Sequence, residues 1–178
     1  MNNSTETSNF FLSAEALRGV GAALREDRAP DDAAGALRRV GAGLGAALTS
    51  GDLGEGAGPE TEAEKFWNGL SERLSTAGLG KFRHSSLHPG VAALDSSDSA
   101  EADPSAGYSH PCCHLTTGVL AGVLRPAAGR EIAVMEAECR SRGDQRCRFL
   151  VGARPTLERL HGDLAAGRGV EQAVAALG

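Results

Sequence analysis

The chain has little of several things that would announce a function on their own. No run approaches the ~20 apolar residues that cross a bilayer, and the polar start Met1-Asn2-Asn3-Ser4-Thr5-Glu6-Thr7-Ser8 lacks the basic-then-apolar order of a signal peptide. The expectation is a soluble, cytoplasmic protein without a transmembrane segment. Lysine is nearly absent: among 18 basic residues only Lys65 and Lys81 are lysines, and the formal net charge is −5. A phosphate-tracking surface shows up as a basic excess or stripe, so this balance argues against general nucleic-acid binding. Aromatic residues are scarce, five Phe, one Trp and one Tyr against 24 Gly, so the core must be built largely from Leu, Val and Ala. No P-loop or Gly-x-Ser-x-Gly occurs, and Gly41-Ala42-Gly43-Leu44-Gly45 lacks the preceding strand and the spacing of a dinucleotide loop. His84, His88, His110 and Tyr108 are scattered and read as surface or loop. No residue set for catalysis emerges.

Cysteine is also sparse, but its four copies fall in one region as Cys112, Cys113, Cys139 and Cys147. In a reducing compartment, clustered thiols serve metal binding or redox chemistry more often than disulfides. A structural zinc site needs four ligands drawn mostly from Cys, His and carboxylates. Cys113, Cys139 and Cys147 with one acid from Glu136 or Glu138 supply such a set, His114 is a further reserve, and Cys112 is a spare thiol suited to packing. Strict strand alternation puts Glu136 and Cys139 on opposite faces. Both reach one ion only if the strand bends or bulges near Ala137, or ends before Cys139. Four protein ligands leave no open coordination position, so zinc here would be structural, tying the helix of Cys113 to the hairpin.

Hydrophobic periodicity organises the rest. A tail over 1–9 reads as disordered, a domain covers 10–152, and a C-terminal helical segment covers 153–178. The first helix carries Leu17, Val20 and Leu24 behind a Ser13 cap. The second opens at Asp31 with Leu37, Val40, Leu44 and Leu48; its glycines each cost up to ~1 kcal/mol relative to Ala, which close packing against another element would compensate. A loop over 51–59 leads to a third helix from Pro59 carrying Phe66, Leu70 and Leu74. Short strands over 81–86 and 91–94 flank the turn His88-Pro89-Gly90, and 95–109 form a long loop. A helix over 113–124 holds Gly118 and Gly122 four apart, a spacing that lets another backbone approach. A strand over 131–139, a turn at Gly143-Asp144 and a strand over 147–151 make a hairpin, and Pro155 opens the final helices, broken at Gly167-Arg168-Gly169.

Taken together, Cys113-x4-Gly118-x3-Gly122 and Glu136-x2-Cys139-x3-Gly143-x3-Cys147-x-Phe149 resemble the signature of the 4-vinyl reductase domain family. The match is specific over 112–151 and weaker over 60–111, where Leu94-Asp95-Ser96-Ser97 fits. That family is grouped with subunits of the TRAPP vesicle-tethering complex and with the sensory domains of phenol- and toluene-responsive activators. The resemblance implies an α+β fold, helices packed on a twisted antiparallel sheet in a single domain, often as a homodimer. It also implies a zinc site of three Cys and one Glu, which by motif falls on Cys113, Glu136, Cys139 and Cys147.

A ligand pocket is the second implication, and Phe66, Trp67, Leu70, Phe82, Leu87 and Leu94 are the apolar residues placed around it. In the aromatic sensors a Trp occupies the place that Leu94 takes here, so a more apolar or differently shaped ligand than phenol is expected. The expected function is therefore zinc-stabilised binding of a small hydrophobic molecule, sensor-like, with any effector supplied by a separate protein. Two alternatives stand beside it: an accessory role in bacteriochlorophyll or other tetrapyrrole metabolism, and a TRAPP-like dimeric interaction scaffold. No redox-cofactor motif supports autonomous reduction, and enzymatic activity is not expected.

Overall fold

A computed structural model describes residues 13–48 and 62–178; the expected tail over 1–9, the loop over 51–59 and the Pro59 helix start lie outside the described residues. Helix α1 (Ala14–Glu26) is capped as expected, Ala16 N donating to Ser13 Oγ at 3.1 Å. Helices α2 (Pro30–Leu48) and α3 (Glu62–Thr76) follow. Then come strands β1 (Arg83–His88) and β2 (Val91–Ser96), helix α4 (His114–Ala128), strands β3 (Ala133–Glu138) and β4 (Cys147–Gly152), and helices α5 (Arg154–Ala165) and α6 (Val170–Ala175). The four strands form one antiparallel sheet in the order β1-β2-β4-β3. The fold is the expected α+β single domain.

Each sheet face buries a different set of side chains, because successive strand residues point to opposite sides. On one face Leu94, Phe149 and Val151 join Leu37, Leu70, Leu74, Val119 and Leu120 of the helices, with Phe149 tilted against Phe82 at 6.0 Å between rings. On the other face Val91, Ala93 and Leu150 pack against Leu157 and Leu160 of α5 and Val170 and Val174 of α6. Arg148 pins that second layer: its guanidinium donates to both carboxylate oxygens of Asp95 at 2.8 Å and to Glu171 of α6 at 2.8 Å. A bidentate, charge-assisted contact at a largely buried arginine fixes position as well as contributing energy.

The glycines of α2 find the compensation their cost requires. A Cβ on Gly41 would lie 2.1 Å from Leu115 O, and one on Gly45 would lie 2.2 Å from Val119 O. The relation is reciprocal, since a Cβ on Gly118 would lie 2.2 Å from Arg38 O and one on Gly122 would lie 2.3 Å from Ala42 O. Helices α2 and α4 therefore cross backbone to backbone, a contact that only residues without side chains permit.

Several boundaries differ from expectation. Helix α4 runs past Leu124 through Pro126 to Ala128; so close to the helix end the proline forfeits a single backbone bond, and Gly129 in the left-handed conformation stops the helix. The expected turn at Gly143-Asp144 is preceded by a 3₁₀ turn over Arg140–Arg142.

Candidate metal centre and ligand cleft

The strand that carries two of the candidate ligands is irregular where the ligands require it. In the ladder with β4, Glu136 pairs with Phe149 and Glu138 with Arg148, a register shift that makes Ala137 the extra residue of a bulge. Ala137 and Glu138 thus share the α5/α6 side, and β3 ends at Glu138. The alternation slips by one position, which brings Glu136 and Cys139 to the same face.

The loop after β3 is held by Asp144, whose Oδ2 accepts from Cys139 N at 2.7 Å and pairs with Arg142 at 2.6 Å. Gly143, at φ +99°, turns the chain back, its N–H donating to Arg140 O. From the other side comes the N-terminus of α4. Cys113 supplies no side-chain cap there. Instead Glu101, from the long loop, accepts from Leu115 N at 3.0 Å and Thr116 N at 2.7 Å. Burial raises the pKa of Glu101 and these N–H groups oppose that rise, as expected of a carboxyl set against a helix N-terminus. Nothing in the sequence singled out Glu101, because a cap delivered from a distant loop has no local spacing to read.

The result is that Cys113, Glu136, Cys139 and Cys147 present ligand atoms that all lie within 4.8 Å of one another. Cys113 Sγ is 3.7 Å from Cys139 Sγ and 3.9 Å from Cys147 Sγ. All four cysteines are free thiols. With metal–sulfur bonds near 2.3 Å, a tetrahedral site separates its sulfurs by about 3.8 Å, so these distances match a shared ion. Glu136 Oε2 accepts from Cys113 N at 2.7 Å, while Glu136 Oε1 is buried with no hydrogen-bond partner among the described residues. An orphaned carboxylate oxygen beside three buried sulfurs is costly unless a cation satisfies it.

The electrostatics of the metal-free cluster point the same way. Burial, and then the negative charge of Cys139, push the Glu136 carboxyl up to about 9. The Cys139 thiol is shifted strongly down by hydrogen bonds from Cys112, Cys113 and Cys147, and Arg140 N adds an N–H contact to Cys147 Sγ at 3.5 Å. The pocket concentrates anionic demand that one divalent ion would relieve.

The reserve ligands are directed elsewhere. Glu138 points to the opposite face and pairs with Arg146 at 2.8 Å. The Nδ1 of His114 meets Arg38 at 3.3 Å, and burial followed by the charges of Arg38 and Arg25 hold this imidazole down at about 4. Cys112 stays close, its Sγ 4.0 Å from that of Cys139, but it is not one of the four convergent donors.

The expected pocket residues divide into two groups. Leu70, Phe82 and Leu94 are closed into the core, and Leu87 packs on the opposite face with α5 and α6. Phe66 and Trp67 do come together, edge to face at 5.0 Å, and both line a cleft of about 370 Å³ between α3, the C-terminal end of α4 and the sheet. Leu124, Ile132 and Val151 complete its apolar wall, with His88 and Arg130 at its edge. One face of the Trp67 indole is stacked on His84 at 4.0 Å between rings. Ala92 and Val151, which also line the cleft, share a sheet face with Leu94 and Phe149, so strand alternation was the signal that could have placed them.

A family model for the vinyl-4-reductase domain matches residues 97–153, the stretch that holds all four convergent donors. No curated protein sequence matches the chain. Among solved structures, the phenol-responsive sensory domain of the transcription activator PoxR with phenol is similar at a TM-score of 0.64 and 17% identity, over 90% of this chain and 84% of that one. A vinyl-4-reductase family protein from Methanocaldococcus jannaschii is similar at a TM-score of 0.50 and 19% identity, over 78% of this chain and 90% of that one. At these identities the likeness is one of fold.

Proposed function

We propose that this chain, with its vinyl-4-reductase domain, is a zinc-stabilised, sensor-like protein that binds a small hydrophobic molecule in the cleft of Phe66 and Trp67, as a homodimer with a separate effector. The observation that carries the reading is the apolar cleft set on the same two strands as the Cys/Glu cluster. Val151 of β4 and Ile132 at the foot of β3 line the cleft, and Cys147 and Glu136 of those strands reach the cluster. A ligand wedged against Val151 and Ile132 would thus bear on the hairpin that the metal secures.

Zinc would be held by Cys113, Cys139, Cys147 and Glu136, the donor set and separations suiting it. Bound there, it supplies a closed structural tie between α4 and the β3–β4 hairpin and no open position for catalysis. With few donors in its wall, the cleft gains most of its affinity from apolar burial, roughly 25 cal/mol per Å² before the costs of association. Its volume of about 370 Å³ sits near the lower end of ligand pockets. One- or two-ring molecules therefore fit this reading better than a tetrapyrrole.

Trp67, the only Trp of the chain, lines the cleft and reports on it. Its fluorescence is expected to change saturably, after inner-filter correction, with a bicyclic aromatic such as naphthalene, and more weakly with phenol. No saturable change across apolar, phenolic and porphyrin probes would sink the ligand reading and leave the dimeric scaffold in its place.

A further inference from the structure

The sheet ends at β3, whose outer edge is not covered by another strand. An edge strand presents every second N–H and C=O outward, ready to pair with an extended chain. Among the described residues this edge is closed only at its two ends, where Arg125 Nε donates to Ile132 O at 3.4 Å and Arg142 donates to Ala137 O at 3.1 Å. Between those points no described group outside the sheet bonds to the backbone of residues 133–136. The edge lies in a trough of about 880 Å³ with α2 and α4 on one side and α5 on the other.

The two walls of the trough differ. On the α2/α4 wall stand Arg38, Arg39 and Arg125, with Asp31 the one acid of that wall. Arg38 meets only the His114 ring, Arg125 meets only a carbonyl, and none of the three forms an ion pair among the described residues. In a chain of net charge −5, three uncompensated guanidinium groups along one wall are a local reversal of sign. The α5 wall offers Leu157, Leu164 and Ala165, with Glu158 and His161 beside them.

The geometry points to β3 as a docking edge for an extended acidic segment of a partner protein, added to the sheet as a fifth strand with carboxylates alternating with apolar side chains. Alternation follows from the pleat: residues facing the arginine wall would be Asp or Glu, and those facing α5 would be apolar. A second copy of this chain is disfavoured as occupant, because pairing β3 with β3 would set the arginine wall against its own copy. Nucleic acid is disfavoured by the net charge and by a recess shaped for one extended backbone.

A labelled peptide of alternating Glu and Val, titrated by fluorescence anisotropy against the full chain, tests this. Saturable binding is expected, weakening with added salt, and slowing hydrogen exchange at the amides of residues 133–136. Arg39→Glu with Arg125→Glu should weaken binding at least tenfold at unchanged melting temperature, whereas Lys81→Glu with Arg83→Glu, which makes the same charge change near β1, should not. N-methylation of the peptide at alternate amides should also cost at least tenfold. The proposal is overturned by absent saturable binding, by equal binding of the N-methylated peptide, or by a single-stranded oligothymidylate binding as tightly as the peptide.

Discussion

Among single residues, the cysteines carry the sharpest expectations. Their convergence was legible in the sequence because thiols at 113, 139 and 147 with an adjacent acid match the needs of one ion. The choice between Glu136 and Glu138 was not legible from alternation, since it turns on the bulge at Ala137, a tertiary feature with no period of its own. Elemental analysis of protein purified without added metal should find one zinc per chain, and a value near zero with all thiols titratable would remove the zinc proposal. Because metal-binding energy is folding energy, Cys139→Ala or Cys147→Ala should destabilise by more than about 3 kcal/mol. Cys112→Ala, which removes a thiol outside the convergent set, should cost only about 1 kcal/mol. Equal effects at Cys112 and Cys139, read by thermal melting, would mean the sulfurs act by packing alone.

The secondary-structure elements were legible where hydrophobic period and punctuation agree, as in α1 with its Ser13 cap and in the glycine-spaced α4. They were less so where a tertiary partner overrides a local signal, and Pro126 inside α4 is such a case. The α2–α4 crossing yields a prediction that separates packing from propensity within one helix. Gly43 faces open space, with nothing within 4 Å of an added Cβ, whereas a Cβ on Gly45 would lie 2.2 Å from the carbonyl oxygen of Val119. Neither helix backbone can yield without loosening the other glycine contacts. Gly45→Ala should therefore cost about 2 kcal/mol or more, at the upper part of the range for overpacking. In a domain of this size that lowers Tm by roughly 4–8 °C. Gly43→Ala should stabilise by up to about 1 kcal/mol through helix propensity. Circular dichroism melts of the two variants decide the matter, and similar melting temperatures would contradict the crossing described above.

For the molecule as a whole, the sequence pattern carried the α+β class and the antiparallel hairpins but not the sheet order. β2 lies beside β4, and that pairing rests on the apolar faces of residues more than fifty positions apart. The pattern also left open which apolar residues stay uncovered, and here the structure is specific: Val20, Val40 and Leu44 are 43%, 50% and 43% exposed. Val40 and Leu44, one turn apart, lie on a different side of α2 from Arg38 and Ala42, since each residue advances ~100° around the helix. The surface proposed for dimerisation is therefore separate from the arginine-lined trough, and the two can be tested independently. Light scattering at micromolar concentration should give twice the chain mass of 18.3 kDa. Val40→Glu with Leu44→Glu should shift it to the monomer while sparing zinc content and acidic-peptide binding, because neither side chain reaches the Cys/Glu cluster or lines the trough. A monomer mass in the parent chain at every concentration would remove the homodimer from the proposal. A dimer that survives the double substitution would instead move the interface away from this face of α2.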